Sequence, residues 1–433
     1  MIKEMNKRAV IFIGCWFLMN LGSTDCFTVN GANSVHASLW TGYNNLVRPS
    51  DIVTIKVEFV LLSINELNLK QQKFSTSGFF TMFWTDSRLT WTPASHENIS
   101  FIYTSEAKIW KPELVVDNSV TQISVISDAN LLFRVDNNGH VKWEPPGIYD
   151  THCEIDITWF PFDRQSCYIE LTSWGYTIDV VNLSHHKADV NLEDYKVNGE
   201  WVVESTSIAW KELTADGDKY SQLEFIIHFA RRPTYYFMNM IFPVVLISFL
   251  TTVVFILPVE SGERISFSIT VLLALALLLT LISDMMPTTS IHTSVLAIYI
   301  MAILTLSTLS VFLTSLNLRL YHKEKQMDVP KWLKKFTQKV LLKCTFQRKY
   351  EDNRTESQRD IIQNEDSVTK PDHKAVSTAW EDIDNDTKEE ADLNMSCKEI
   401  SMLFDRFWFI LFIAMTIACT FLFLLILGIG ARV

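Results

Sequence analysis

The chain has 433 residues and a formal charge of −11, from 49 acidic against 38 basic side chains. That balance argues against nucleic acid as a partner. Hydrophobic residues make up 48% and charged residues 20%, too apolar for a wholly soluble protein with room for two or three domains. Along the chain, residues 1–25 come first. Lys3, Lys7 and Arg8 precede the apolar run 9–21, and Gly22, Ser23 and Thr24 follow it. This order reads as a secretory signal peptide cleaved near residues 24–26, since the run is short for an anchor helix and ends in small residues. Residues 26–233 read as one extracellular domain. A helix is expected at 34–46. Val53, Ile55, Val57, Phe59 and Leu61 then alternate with Thr54, Lys56 and Glu58, the period of a half-buried strand. Further short strands are punctuated by Asp136-Asn137-Asn138-Gly139, Pro145-Pro146-Gly147 and Asn198-Gly199, which predicts a β-sandwich. Asn98 and Asn182 begin glycosylation sequons, tripeptides that chance also produces.

Of seven cysteines, Cys15 and Cys26 lie in or beside the leader, Cys344 and Cys397 in a polar region assigned to the cytosol, and Cys419 in the last apolar segment. Cys153 and Cys167 remain, in a compartment that favours pairing. Closing so short a loop contributes roughly 3 kcal/mol on the loop-entropy model. The spacing fits an ordinary structural disulfide equally well. Between the two cysteines lies Trp159-Phe160-Pro161-Phe162-Asp163, an apolar tip suited to contact with another apolar surface.

Four apolar segments follow, at 236–257, 265–286, 295–316 and 407–429, each long enough for the ~20 residues of a bilayer span. Residues 234–321 hold the first three and 404–433 the fourth, followed by an extracellular C-terminus. Between them, 322–403 carries Lys323, Lys325, Lys331, Lys334 and Lys335 directly after the third span, which assigns it to the cytosol. Within it, 330–342 reads as an amphipathic helix on the inner membrane surface, or alternatively as a soluble basic helix. Residues 350–378 read as disordered, and 378–405 as acidic and helical near its end. The sequons at Asn353, Asn385 and Asn394 are expected to be silent there. An even number of spans after a cleaved leader puts both termini outside.

The second span differs in kind. Glu263, Ser266, Thr270, Leu273, Leu277, Leu281 and Asp284 recur at steps of three and four, one face of a helix. Carboxylates are costly in lipid, so acids at both ends of that face should meet water. Several copies around an axis would make a pore with acidic rings and a leucine constriction. A packed helix with acids snorkelling from its ends has the same periodicity.

The stretches WTDSRLTW, IWKPEL, PPGIYDTHC, NGEW, RRPTYY, PVESGERISFSITVLLALALLLTLISDMMP and VPKWLKKF closely resemble the Cys-loop receptors, the pentameric ligand-gated ion channels, and above all their nicotinic acetylcholine receptor branch of invertebrate type. The likeness runs from about Trp40 to Tyr321 and resumes in the last span. It implies an α+β membrane protein: an extracellular β-sandwich followed by a four-helix transmembrane bundle, assembled as a pentamer of identical or related subunits in the plasma membrane. The chain reads Gly262-Glu263-Arg264 without the Pro-Ala insertion of anion-passing relatives, which implies selectivity for monovalent cations. Arg264 is expected to turn away from the pore, towards cytosolic acids or lipid headgroups. The resemblance makes Phe160-Pro161-Phe162 press on the link 287–292, which begins at Pro287. It pairs Arg231 with Asp163 or Glu66 to couple binding to gating. Trp174 matches the central tryptophan of an aromatic agonist box, and Phe79 the aromatic wall of the neighbouring subunit. Aromatic faces of this kind attract amine cations by ~0.5–2 kcal/mol each.

The match departs from the pattern at Asp117, where tyrosine is usual. The expected capping loop 207–220 lacks a cysteine pair, leaving Tyr220 and Trp210 as its aromatics. Lys142 and Glu144 make the neighbouring wall charged, while Trp110 and Trp143 are expected in the core. Acetylcholine is therefore a doubtful agonist and the small-molecule ligand is open. A non-conducting accessory subunit and a channel opened by protons, lipid or temperature are the alternatives; the pair His185-His186 permits proton sensing without establishing it. Lipids are expected neighbours. The sequence shows no nucleophile–base pair, metal cluster or phosphate loop, so no enzyme activity, metal or cofactor is expected.

Overall fold

The computed structural model describes residues 27–287, 291–322 and 397–430. The expected leader, the 330–342 helix, Cys344 and the sequons at Asn353, Asn385 and Asn394 lie outside these residues. The chain divides into two compact units, one made of the residues up to Asp156 together with Arg164–Arg232, the other of Ile157–Asp163 and the residues from Pro233 onward.

The first unit is a β-sandwich preceded by a helix, α1 (Val29–Leu39). That helix starts five residues before the expected Ser34, because the Thr28 hydroxyl caps it by accepting from Gly31 N–H at 3.2 Å. Strands β1 (Val53–Asn68), β2 (Lys73–Thr90), β3 (Phe101–Ser105), β5 (Leu132–Asp136), β6 (Asn138–Trp143), β7 (Pro146–His152) and β9 (Val181–His185) form one sheet, in the order β3-β5-β6-β2-β1-β9 with β7 also on β2. The β1–β9 pair is parallel and the others are antiparallel. Strands β10 (Trp201–Ala215), β11 (Asp218–Arg231), β8 (Arg164–Ser173) and β4 (Leu114–Val116) form the second sheet, in that order.

The alternation read in β1 sends Val53, Ile55, Val57, Phe59 and Leu61 inward, all buried. Between the sheets Phe59, Phe80, Tyr149 and Phe225 meet with ring centroids 4.9–5.7 Å apart, and Phe74 stacks on Phe229 at 5.3 Å. Such contacts add to the area these aromatics bury. Trp110 and Trp143 are 2% and 0% exposed, in the core as expected.

Among the described residues, the second unit contains four helices long and apolar enough to cross a membrane: α2 (Thr234–Val253), α3 (Arg264–Met285), α4 (Val295–Tyr321) and α5 (Cys397–Gly430). A π-helical stretch, Phe237–Ile241, interrupts α2 just before Pro243, which has no N–H to offer the ladder. The α2–α3 link turns at Gly262, whose φ of 71° lies in the left-handed region. Helix α5 has 34 residues, about 51 Å at 1.5 Å per residue, so it is longer than a bilayer core. It begins ten residues before the expected 407, continuous with the stretch read as acidic and helical.

Candidate functional site

Three groups of residues carry the chemistry. The first is the cysteine loop. Cys153 and Cys167 form a disulfide with Cα atoms 5.2 Å apart. The seven residues Ile157–Asp163 inside it cluster with the helical unit, although the sandwich flanks them on both sides. Phe160 is fully buried and meets Tyr236 at the start of α2 edge to face, 5.2 Å between centroids. Thr158 carbonyl accepts from Val295 N–H at 3.1 Å, at the start of α4. Trp159 lies against Gly430 so closely that a Cβ there would clash with the indole. The apolar tip thus touches the ends of three membrane-length helices. Of the expected target, residues 288–290 lie outside the described set, and Pro287 is buried.

Arg231 is 5% exposed, ion-pairs with Glu200 and stacks 4.1 Å over the Trp201 ring. Glu200 sits in the quoted NGEW stretch but was not among the expected partners. It reaches Arg231 because β10 and β11 pair Trp201 with Arg231. Glu66 instead accepts from Asn68 Nδ2 at 2.9 Å, and among the described residues it makes no ion pair. Arg264 turns inward, to Asp405, the last acid of the 378–405 stretch. Its Nη1 and Nη2 donate to Asp405 Oδ2 and Oδ1 at 3.0 and 2.7 Å, and its Nε to Val254 carbonyl at 2.8 Å. Asn317 Nδ2 also donates to Asp405 Oδ1 at 2.6 Å. Arg264 is 1% exposed, so the pair lies inside the helical unit, where a lone guanidinium would be costly.

The second group is the face of α3. Glu263, Ser266, Thr270, Leu273, Leu277, Leu281 and Asp284 are all exposed in the single chain. At 100° per residue they fall within an arc of about 80°. Arg264, Ser268, Val271, Leu275 and Ile282 are buried on the opposite side. Leu273, Leu277 and Leu281 are 57%, 66% and 62% exposed, although the remaining helices offer apolar surfaces that could have covered them.

The third group lies in the sandwich. Trp174 follows β8 and is 60% exposed, with its N–H on Glu113 carbonyl at 3.0 Å. The register Gln222↔Thr172, carried two residues further, sets Tyr220 opposite Trp174. Asp117 follows β4 and donates its N–H to Glu170 carbonyl at 2.9 Å. Trp174 and Tyr220 therefore sit at one end of the four-stranded sheet, and Asp117, beside Glu170, lies four residues further along β8. The expected capping loop is a β-hairpin, β10–β11, closed by Asp216-Gly217 with φ of 54° and 94°. Positive φ at both central residues is the two-residue turn that suits hairpin twist, which extends the strands across the span assigned to a loop. Trp210 is half exposed and donates its indole N–H to Ser221 Oγ at 2.9 Å.

Carboxylates dominate beside Asp117. Burial, then the charges of Glu224 and Asp117, push the Glu170 carboxyl above its ordinary range, against the pull of Lys211. Phe79, Lys142 and Glu144 lie on the other sheet. Phe79 is half-buried in β2, Lys142 pairs with Glu144 at 2.9 Å, and Glu144 accepts from Thr81 Oγ1 at 3.3 Å. Within one chain these two sets belong to different sheets. Among the described residues, no group of three or more His, Cys, Asp or Glu could hold a metal ion.

Residues 32–233 match the neurotransmitter-gated ion-channel ligand binding domain, and residues 240–399 the neurotransmitter-gated ion-channel transmembrane region. The chain is 33% identical over 311 residues to the neuronal acetylcholine receptor subunit alpha-2 of Gallus gallus, covering 69% of this chain and 58% of that one. It is 33% identical to the acetylcholine receptor subunit alpha-type acr-16 of Caenorhabditis elegans, covering 69% and 61%. With the neuronal acetylcholine receptor subunit beta-4 of Homo sapiens it shares 30% over 384 residues, 86% of this chain and 76% of that one. The chain spans about three fifths of the length of the alpha-2 and acr-16 relatives. Matched across both its sandwich and its helices, the chain belongs to the neurotransmitter-gated ion-channel family, the Cys-loop receptors, with nicotinic acetylcholine receptor subunits among its relatives.

Proposed function

We propose that this chain is a subunit of a pentameric, cation-selective, ligand-gated channel of the plasma membrane. In this reading the sandwich and both termini lie outside, and the segment between the third and fourth spans lies in the cytosol. The observation that carries the reading is the exposed stripe from Glu263 to Asp284 on a helix whose other side is packed. Repeated around an axis, Glu263 gives an inner acidic ring, Ser266 and Thr270 polar rings, Leu273, Leu277 and Leu281 an apolar constriction, and Asp284 an outer acidic ring. Acidic rings concentrate cations and leucine rings gate by dewetting.

The cysteine loop, with Phe160, Pro161 and Phe162, transmits ligand binding to the helices, and the ion pair of buried Arg231 with half-exposed Glu200 holds the end of the β10–β11 hairpin in one geometry. Trp174, Tyr220 and Asp117 form one wall of the ligand site, and Phe79, Lys142 and Glu144 of the adjoining subunit form the other. A carboxylate at Asp117 suits a primary amine better than a quaternary one, so acetylcholine is expected to be a poor agonist. Asn98 is exposed and suits glycosylation, whereas Asn182 Oδ1 already accepts from Ser221 Oγ at 3.2 Å.

Expression in oocytes, with reversal potentials measured under sodium chloride dilution, tests the selectivity. The reversal should follow sodium, and Glu263→Ala should weaken cation preference more than Asp284→Ala does. A wild-type reversal that tracks chloride overturns the proposal. Robust activation by acetylcholine would overturn the assignment of the ligand wall alone.

A further inference from the structure

The large sheet carries a row of like charge that the ligand wall does not explain. Strand register places Arg134 beside Lys142, Lys142 beside Phe83, and Phe83 beside Lys56, across β5, β6, β2 and β1. Directly paired residues share a face with Cβ atoms about 4.5–5.5 Å apart, and like charges so placed repel. Three cations therefore stand within about 14 Å, the width of three strand spacings.

Lys142 is ion-paired with Glu144, but Lys56 and Arg134 make no ion pair among the described residues. Arg134 lies 4.4 Å over the Phe101 ring, which fixes the guanidinium without neutralising it. The Asp136 carboxylate lines the same hollow, with Oδ1 accepting from Asn138 and His140 N–H at 2.9 Å each, so one negative charge there stands against the three cations. His186 adds a ring 4.8 Å from Phe83, and His140 closes the side near Arg134. Together these residues line an open cavity of about 580 Å³. A hollow that gathers three cations against one lining carboxylate stands out in a chain whose net charge is −11.

We propose that this cavity binds a small organic dianion, a phosphate ester or dicarboxylate. Its charged group sits between Arg134, Lys142 and Lys56, and its apolar body lies on Phe83. Arginine supplies the forked donors that match such groups, lysine the point charge, and phenylalanine the apolar floor. Phe83 is four residues along β2 from Phe79, about 13 Å, so the cavity shares only Lys142 with the proposed agonist wall. The inference rests on one subunit's own residues and does not depend on which ligand opens the channel.

Calorimetric titration of the full-length protein in nanodiscs tests it, with phenyl phosphate, phthalate, inorganic phosphate and phenol as probes. Phenyl phosphate and phthalate should bind saturably and phenol should not. The double variant Lys56→Gln/Arg134→Gln should weaken phenyl phosphate binding by about tenfold or more, the loss expected for two charge-assisted contacts. Both side chains are exposed, so the variant should keep the wild-type elution volume. Phe83→Ala should weaken phenyl phosphate but not inorganic phosphate. The charge-matched control Lys211→Gln/Lys219→Gln, on the other sheet, should leave the isotherm unchanged. The proposal is overturned if the wild type shows no saturable binding, if the two double variants behave alike, or if phenol binds as tightly as phenyl phosphate.

Discussion

Replacing Asp405 by alanine removes the carboxylate that accepts two hydrogen bonds from the Arg264 guanidinium, at 3.0 and 2.7 Å. It also takes from the Asn317 amide one of its two acceptors, at 2.6 Å, leaving the Ser401 carbonyl at 3.1 Å. Arg264 is 1% exposed, so water cannot replace the lost partner without opening the helix packing. Deleting one member of such a pair costs about 3–5 kcal/mol, whereas replacing both by apolar residues of similar volume is often neutral. Because Asp405 sits on α5 and Arg264 at the start of α3, the loss should loosen α5 from the bundle. Asp405→Ala should therefore depress surface expression severely and lower the melting temperature of the solubilised protein. The double variant Arg264→Leu/Asp405→Leu should recover much of both. Surface biotinylation and fluorescence-detected gel filtration measure the two effects, and the double-mutant cycle isolates their coupling. If Asp405→Ala assembles and melts like the wild type, or if the double variant simply adds the two single losses, the pair does not hold the bundle together.

Other consequences can be checked independently. Cys153→Ser should abolish surface assembly, since losing a native disulfide in a small secreted fold costs about 2–5 kcal/mol and here also unshapes the tip that meets α2, α4 and α5; normal surface levels would contradict this. Leu273→Ser should raise the resting current or the sensitivity to any agonist, because a hydroxyl ring wets what leucine keeps dry; unchanged leak and dose–response would move the barrier to Leu277. Glu170, with its carboxyl raised by burial and by Glu224 and Asp117, opposes folding when ionised. That penalty is complete above its raised folded-state value and fades as pH falls through it towards the unfolded-state value. Glu170→Gln should thus raise the melting temperature at neutral pH, with the gain vanishing in acid. A gain independent of pH, or a loss at neutral pH, would show that the neighbouring carboxylates do not govern this site.

Local repetition is what the sequence displays, and the features that depend on it alone were legible there. The stripe on α3 follows from steps of three and four, β1 from strict alternation, and the spans from length and hydropathy, because helix and strand geometry map spacing directly onto a face. The disulfide also came from local content, two cysteines fourteen residues apart in a compartment that favours pairing. Side-chain partnerships did not. Arg264 meets Asp405 across 141 residues, Arg231 finds Glu200 through the register of a hairpin, and Arg134, Lys142, Phe83 and Lys56 align only when four strands pair. Spacing along the chain carries no information about such partners, since they are chosen by which surfaces pack and by a strand register whose shift by one residue would turn every side chain to the other face. Helix α1 and the hairpin show the same division on a smaller scale, where a hydroxyl cap at Thr28 and a turn at Asp216-Gly217 decided boundaries that periodicity left loose.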